Sequence, residues 1–123
     1  MEGMNFAAID IGTNAARLLI KNIDHNPLGE TKFRKVLFIR YPLRLGMDVF
    51  SKGKIGKERA EMMMHMIKGF KQMMRMYDVV DYRACATSAM RDAKNGKALI
   101  KNCLLYTSPS PRDYAASRMP SSA

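Results

Sequence analysis

The sequence predicts a mixed α/β fold: a three-stranded antiparallel meander, then a helix, a strand and a further helical stretch. Three observations predict it. Apolar runs at Phe6-Ala7-Ala8-Ile9 and Arg17-Leu18-Leu19-Ile20 flank a short turn, Asp10-Ile11-Gly12-Thr13-Asn14, and a third run follows with Phe33, Val36, Phe38 and Tyr41 between basic residues. Residues 57–77 carry Ala60, Met63, Ile67, Phe70, Met74 and Tyr77 at alternating spacings of three and four, which is the helical period. A short run of small residues, Ala84-Cys85-Ala86, then leads into Ser88, a favourable helix N-cap.

Taken in order, residues 5–10 read as the first strand and 16–23 as the second. Asp24-His25-Asn26-Pro27-Leu28-Gly29 is a cluster of turn formers. Residues 32–41 read as the third strand, which Pro42-Leu43-Arg44-Leu45-Gly46 ends in a loop. Residues 51–56 are a polar, glycine-containing approach to the helix at 57–77. Seven methionines lie between Met62 and Met76. A methionine stripe suits either a core or an adaptable binding surface, and core is the more ordinary reading. His65 has no His, Cys or paired carboxylate at ligand spacing, so it reads as a surface or packing residue. Residues 82–87 read as the fourth strand, with Ala84, Cys85 and Ala86 small and buried. The helix opening at Ser88 is broken by Asn95-Gly96, and a second helical piece carries Leu99 and Ile100.

Two segments carry chemistry. In the first turn Gly12 permits close backbone approach. Successive backbone N–H groups can form an anion nest, Thr13 and Asn14 add donors, and Asp10 can hold Mg²⁺ through water. An ordinary Asp-Gly hairpin turn explains the same residues. The second segment, Ala86-Thr87-Ser88-Ala89-Met90-Arg91, places a helix start after a strand. Backbone dipoles favour an anion there, and Arg91 adds a bidentate donor or is simply a solvated helix residue.

The chain of 123 residues allows one domain. No run of about 18 apolar residues is present, so no membrane span is expected, and no secretory signal is visible. Cys85 and Cys103 give neither metal spacing nor a disulfide framework, which makes the cytoplasm the default location. The formal net charge of +10 suits polyanionic partners. The basic residues are spread along the chain without the aromatic interleaving of single-strand binders, so nucleic acid is not the expected partner.

Residues 103–123 change character. Cys103-Leu104-Leu105-Tyr106-Thr107-Ser108-Pro109-Ser110-Pro111-Arg112-Asp113 resembles a translated sequencing adaptor of the transposase type, and Ser117-Arg118-Met119-Pro120-Ser121-Ser122-Ala123 resembles its far end in the same frame. The expectation is a non-native, disordered tail after a natural part covering residues 1–102. The tail holds two Arg and one Asp, so the natural part keeps a charge of +9.

Three stretches resemble the exopolyphosphatase / guanosine pentaphosphate phosphohydrolase (Ppx/GppA) family, a branch of the actin-like, sugar-kinase and heat-shock ATPase superfamily. They are Ala8-Ile9-Asp10-Ile11-Gly12-Thr13-Asn14-Ala15-Ala16-Arg17-Leu18-Leu19-Ile20, then Leu43-Arg44-Leu45-Gly46-Met47-Asp48-Val49-Phe50, then Ala86-Thr87-Ser88-Ala89-Met90-Arg91-Asp92-Ala93-Lys94-Asn95-Gly96. The first marks the superfamily, and the other two separate this family from sugar kinases. The resemblance implies a truncated ribonuclease H-like first lobe of a two-lobed core. It implies Mg²⁺ associated with Asp10, and phosphate binding by Gly12, Thr13, Asn14, Arg17, Thr87, Ser88 and Arg91. The implied substrates are inorganic polyphosphate or guanosine pentaphosphate, with no nucleic acid or membrane partner, and the resemblance allows a homodimeric parent.

In the family a glutamate on the next strand acts as general base on the attacking water. No glutamate follows Glu61 here, so the resemblance implies a phosphoanhydride hydrolase fragment with no catalytic residue of its own. Three other readings are a non-catalytic polyphosphate or alarmone-binding module, a sugar kinase-type actin-like ATPase, and a basic nucleic-acid binder resting on charge alone. The fourth strand, lacking a fifth to pair with, is expected to leave a bare edge that invites aggregation.

Overall fold

The computed structural model of the chain describes residues 3–86 and 88–107. Three strands run first, β1 (Met4–Ile11), β2 (Ala16–His25) and β3 (Thr31–Tyr41), then α1 (Leu45–Lys52) and α2 (Lys57–Met76). β4 (Val79–Ala86), α3 (Ser88–Asp92) and α4 (Gly96–Thr107) complete the order. The sheet order is β3-β2-β1-β4. β2 pairs antiparallel with both β1 and β3, whereas β4 lies parallel to β1. A parallel neighbour needs a crossover connection, and α1 and α2 supply it.

Alternation along the strands divides the sheet into two unlike faces. Ala7, Ile9 and Ile11 of β1, Ala16, Leu18 and Ile20 of β2, and Tyr82 and Ala84 of β4 are buried. Met63, Met66, Ile67, Phe70 and Met74 of α2 join them in one core cluster, with Leu43, Leu45, Val49, Ile55, Ala89, Met90 and Ala93. The methionine stripe is therefore mostly core, although Met76 is 71% exposed. The intervening residues face the other way. Ala8, Arg17, Lys21, Phe38, Arg83 and Cys85 are exposed there.

This face asymmetry corrects the expectation that Cys85 is buried. Ala84 points into the helices and Cys85 points out of the uncovered face, because neighbours along a strand alternate. β4 also starts three residues earlier than the sequence reading placed it, at Val79.

A second correction concerns residues 42–52. The sequence reads residues 42–46 as loop and 51–56 as a polar approach to a helix, yet α1 begins at Leu45 and includes Gly46. Glycine disfavours a helix interior, but here it answers a packing demand. A Cβ on residue 46 would stand 2.5 Å from Thr13 Cγ2. Asp48, buried on α1, accepts hydrogen bonds from the Gly56 N–H at 2.7 Å and from Arg59 Nη1 at 3.0 Å. Arg59 Nε also donates to the Leu43 carbonyl at 3.2 Å. These bonds join α1 to the first turn of α2, which has no side-chain N-cap of its own.

The Asn95-Gly96 break also has a structural use. Asn95 Nδ2 donates to the Ile55 carbonyl at 2.8 Å, and its Oδ1 accepts from the Ile55 N–H at 3.0 Å. Gly96 lies so close to the Met90 carbonyl that no Cβ fits. α4 is continuous to Thr107, so the first five residues of the adaptor-like segment lie within a helix. Residues 108–123, on which most of the expected disordered tail falls, lie outside the described residues.

Candidate functional site

The two chemical segments recognised in the sequence come together because β1 and β4 are parallel neighbours. Asp10 is in register with Cys85 and Ile11 with Ala86. The carboxyl ends of both strands therefore open at the same end of the sheet, one into the 12–15 turn and the other toward α3. Ligands of open α/β sheets bind at carboxyl strand ends of this kind.

The turn closes on itself through the Gly12 N–H, which donates to the Ala15 carbonyl at 2.9 Å. That bond withdraws Gly12 from the expected nest of free amides. Thr13 and Asn14 keep backbone N–H groups with no protein partner among the described residues. The carbonyls on the reverse side are occupied: the Arg44 N–H donates to Asn14 at 2.9 Å and the Gly46 N–H to Thr13 at 3.0 Å. The 43–46 segment thus braces the turn from behind and leaves its amide side open. Asn14 is exposed, while Thr13 packs its methyl toward α1.

Arg17 and Asp10 are cross-strand partners in the β1–β2 ladder. Their side chains form an ion pair at 3.4 Å, with 49% and 43% of each still exposed. A pair this accessible contributes little to stability, so both groups are available to a ligand. Arg91 is exposed on α3. Thr87 lies outside the described residues. Ser88 opens α3, a helix of five residues.

Mg²⁺ usually keeps several waters and binds through one or two carboxylates plus substrate phosphates. Among the described residues no group of three His, Cys, Asp or Glu could cage a metal. A half-exposed Asp10 beside open amides fits an ion brought in by phosphates rather than one held by protein alone. His65 is exposed on α2, where it lines an apolar groove with Ile39, Met62, Phe70 and Met73.

The sequence reading did not place Arg40 or Arg44 in the site. Arg40 pairs with Arg17 across the β2–β3 ladder. Arg44 adopts a left-handed conformation, φ 56° and ψ 48°, at the start of α1. Arg40, Arg44, Asn14, Pro42 and Met47 line an open pocket of about 440 Å³. Arg44 stood in plain view inside a quoted motif, but the register that brings Arg40 to it is a tertiary fact.

The fold is a ribonuclease H-like α/β lobe of the actin-like ATPase type, with Asp10, Arg17 and the 12–15 turn at the carboxyl end of β1. The solved Ppx/GppA phosphatase of Aquifex aeolicus superposes with a TM-score of 0.75 at 28% identity, covering 85% of this chain and 33% of that one. An exopolyphosphatase from Cytophaga hutchinsonii superposes at 0.72 with 26% identity, covering 85% and 32%. The chain is also 35% identical over 99 residues to the bifunctional 3-dehydroquinate synthase/phosphatase of Fusobacterium nucleatum, covering 77% of this chain and 15% of that protein. No family model matches the sequence. The chain resembles the Ppx/GppA phosphatases in fold and sequence, and it spans about a third of the length of the solved structures it matches. No helix among the described residues is long and apolar enough to cross a membrane.

Proposed function

We propose that this chain supplies one wall of the phosphate-binding cleft of a cytoplasmic phosphoanhydride hydrolase, an enzyme that releases terminal phosphate from inorganic polyphosphate or guanosine pentaphosphate. The observation that carries the reading is the register of β1 with β4, which sets the open amides of Thr13 and Asn14 beside the start of α3. In this reading Thr13 and Asn14 hold phosphate oxygens, with Gly12 shaping the turn. Arg17 and Arg91 add donors, and Thr87 and Ser88 belong to the same set by their sequence positions. Asp10 meets a phosphate-bound Mg²⁺ through water, and the ion would neutralise charge on the transferring group.

Phosphoryl transfer needs an oriented water as well as bound phosphate. No glutamate follows Glu61, so in this reading these 123 residues bind phosphates without hydrolysing them. The test is phosphate release from long-chain polyphosphate with and without Mg²⁺, alongside calorimetric binding of the same polymer. Binding without release is expected, and Arg17→Gln with Arg91→Gln together, which remove the charged donors beside the turn, should weaken the binding at least tenfold. Mg²⁺-dependent release by the wild-type chain would overturn the inactivity, and undiminished binding by the double variant would overturn the site.

A further inference from the structure

Resting on that reading, we propose that Arg40, Arg44 and Asn14 form a second anion subsite, which takes further phosphoryl groups of a condensed phosphate chain whose end lies at the 12–15 turn. The pocket of about 440 Å³ that these residues line adjoins the turn directly, because Asn14 belongs to both. The backbone fixes the relation: the Arg44 N–H is bonded to the Asn14 carbonyl at 2.9 Å.

The electrostatics call for an anion. Arg40 stands directly opposite Arg17, and like charges in that relation repel. Asp10 lies 3.4 Å from Arg17 and makes no ion pair with Arg40. Among the described residues neither the Arg40 nor the Arg44 guanidinium has a hydrogen bond or ion pair. A phosphate chain, with oxygens that guanidinium groups grip two at a time, meets that excess of positive charge.

Position gives the chain a direction. With the strands in the order β3-β2-β1-β4, the strand that carries Arg40 and the strand that leads into α3 lie on opposite sides of the β1–β2 hairpin. Strands lie about 4.8 Å apart, so the three intervals from β3 to β4 span roughly 14 Å. A single orthophosphate cannot bridge that width, whereas an extended condensed phosphate can. Arg44 itself occupies a backbone conformation that glycine or asparagine would adopt more easily. An arginine there places a guanidinium at the pocket at a conformational cost.

The experiment is calorimetric titration of the 123-residue chain with inorganic triphosphate and with orthophosphate, at low and moderate salt, for wild type, Arg40→Gln and Arg44→Gly. Glycine suits the Arg44 backbone, so that variant should melt no lower than wild type and serves as the folding control. The ratio of triphosphate to orthophosphate affinity should fall at least tenfold in each variant. Guanosine 5′-triphosphate, run in parallel, should fall by a similar factor if the pocket reads phosphates. An unchanged ratio, or a loss confined to the nucleotide, would overturn the subsite while leaving the turn as a phosphate site. A wild-type chain that binds none of the three would instead overturn the underlying functional reading.

Discussion

Gly46 is held against Thr13: its N–H donates to the Thr13 carbonyl at 3.0 Å, and the Thr13 methyl occupies the space a residue-46 side chain would need. The contact ties the first helix to the back of the 12–15 turn. It makes two motifs that are some thirty residues apart in sequence a single mechanical unit.

Gly46→Ala should therefore cost about 1–3 kcal/mol through overpacking. Thr13→Ser removes the methyl that a Cβ would strike and keeps the hydroxyl. The double variant should recover most of the loss in urea denaturation. Equal losses for the single and double variants would show that the clash lies elsewhere.

Asp48→Ala should destabilise the fold by about 2–3 kcal/mol, because it leaves the Gly56 amide and the partly exposed Arg59 without their acceptor. Asp48→Asn, which keeps an amide oxygen at similar reach, should lose less. The ordering is read from thermal melts, and a reversed order would count against an acceptor role.

Asn95 imitates a peptide group by bonding both polar atoms of Ile55, a residue only 2% exposed. Asn95→Ala should cost about 2 kcal/mol, at roughly 1 kcal/mol for each bond. Asn95→Asp should be no better, since a carboxylate would face the Ile55 carbonyl. Chemical denaturation that ranks the aspartate variant with wild type would refute this pairing.

Asp10→Asn should shift stability by less than about 1 kcal/mol, since its ion pair with Arg17 is half-exposed. It should nonetheless remove any strengthening of triphosphate binding by Mg²⁺. Titrations with and without the ion make the comparison, and an intact Mg²⁺ effect in the variant would exclude Asp10 from the metal's surroundings.

Much of the architecture was legible because it rests on local pattern. The Gly12 turn between two apolar runs gave the first hairpin, and the spacing from Ala60 to Tyr77 gave the long helix. α1 was not legible: Pro42, Gly46 and Gly53 are loop signals, and the reasons a helix forms between them are the distant Thr13, Gly56 and Arg59. Cys85 was misplaced because small residues in a strand look alike from the sequence, and only the one-sided helix cover separates Ala84 from its neighbour. In the candidate site the turn residues could be named from their chemistry. Arg40 could not, since its place beside the turn follows from the β2–β3 register.

The parallel pairing of β1 with β4 has a kinetic consequence. Its partners, such as Asp10 and Cys85, are 75 positions apart, whereas the β1–β2 turn closes within a few residues. Contacts between distant parts of a chain are slow to form, so the hairpin turn can be in place before α3 reaches it. A phosphate chain that touches both sides meets its full set of donors only when this last pairing is complete. Such a ligand should lengthen the lifetime of the folded chain while leaving the rate of folding nearly unchanged.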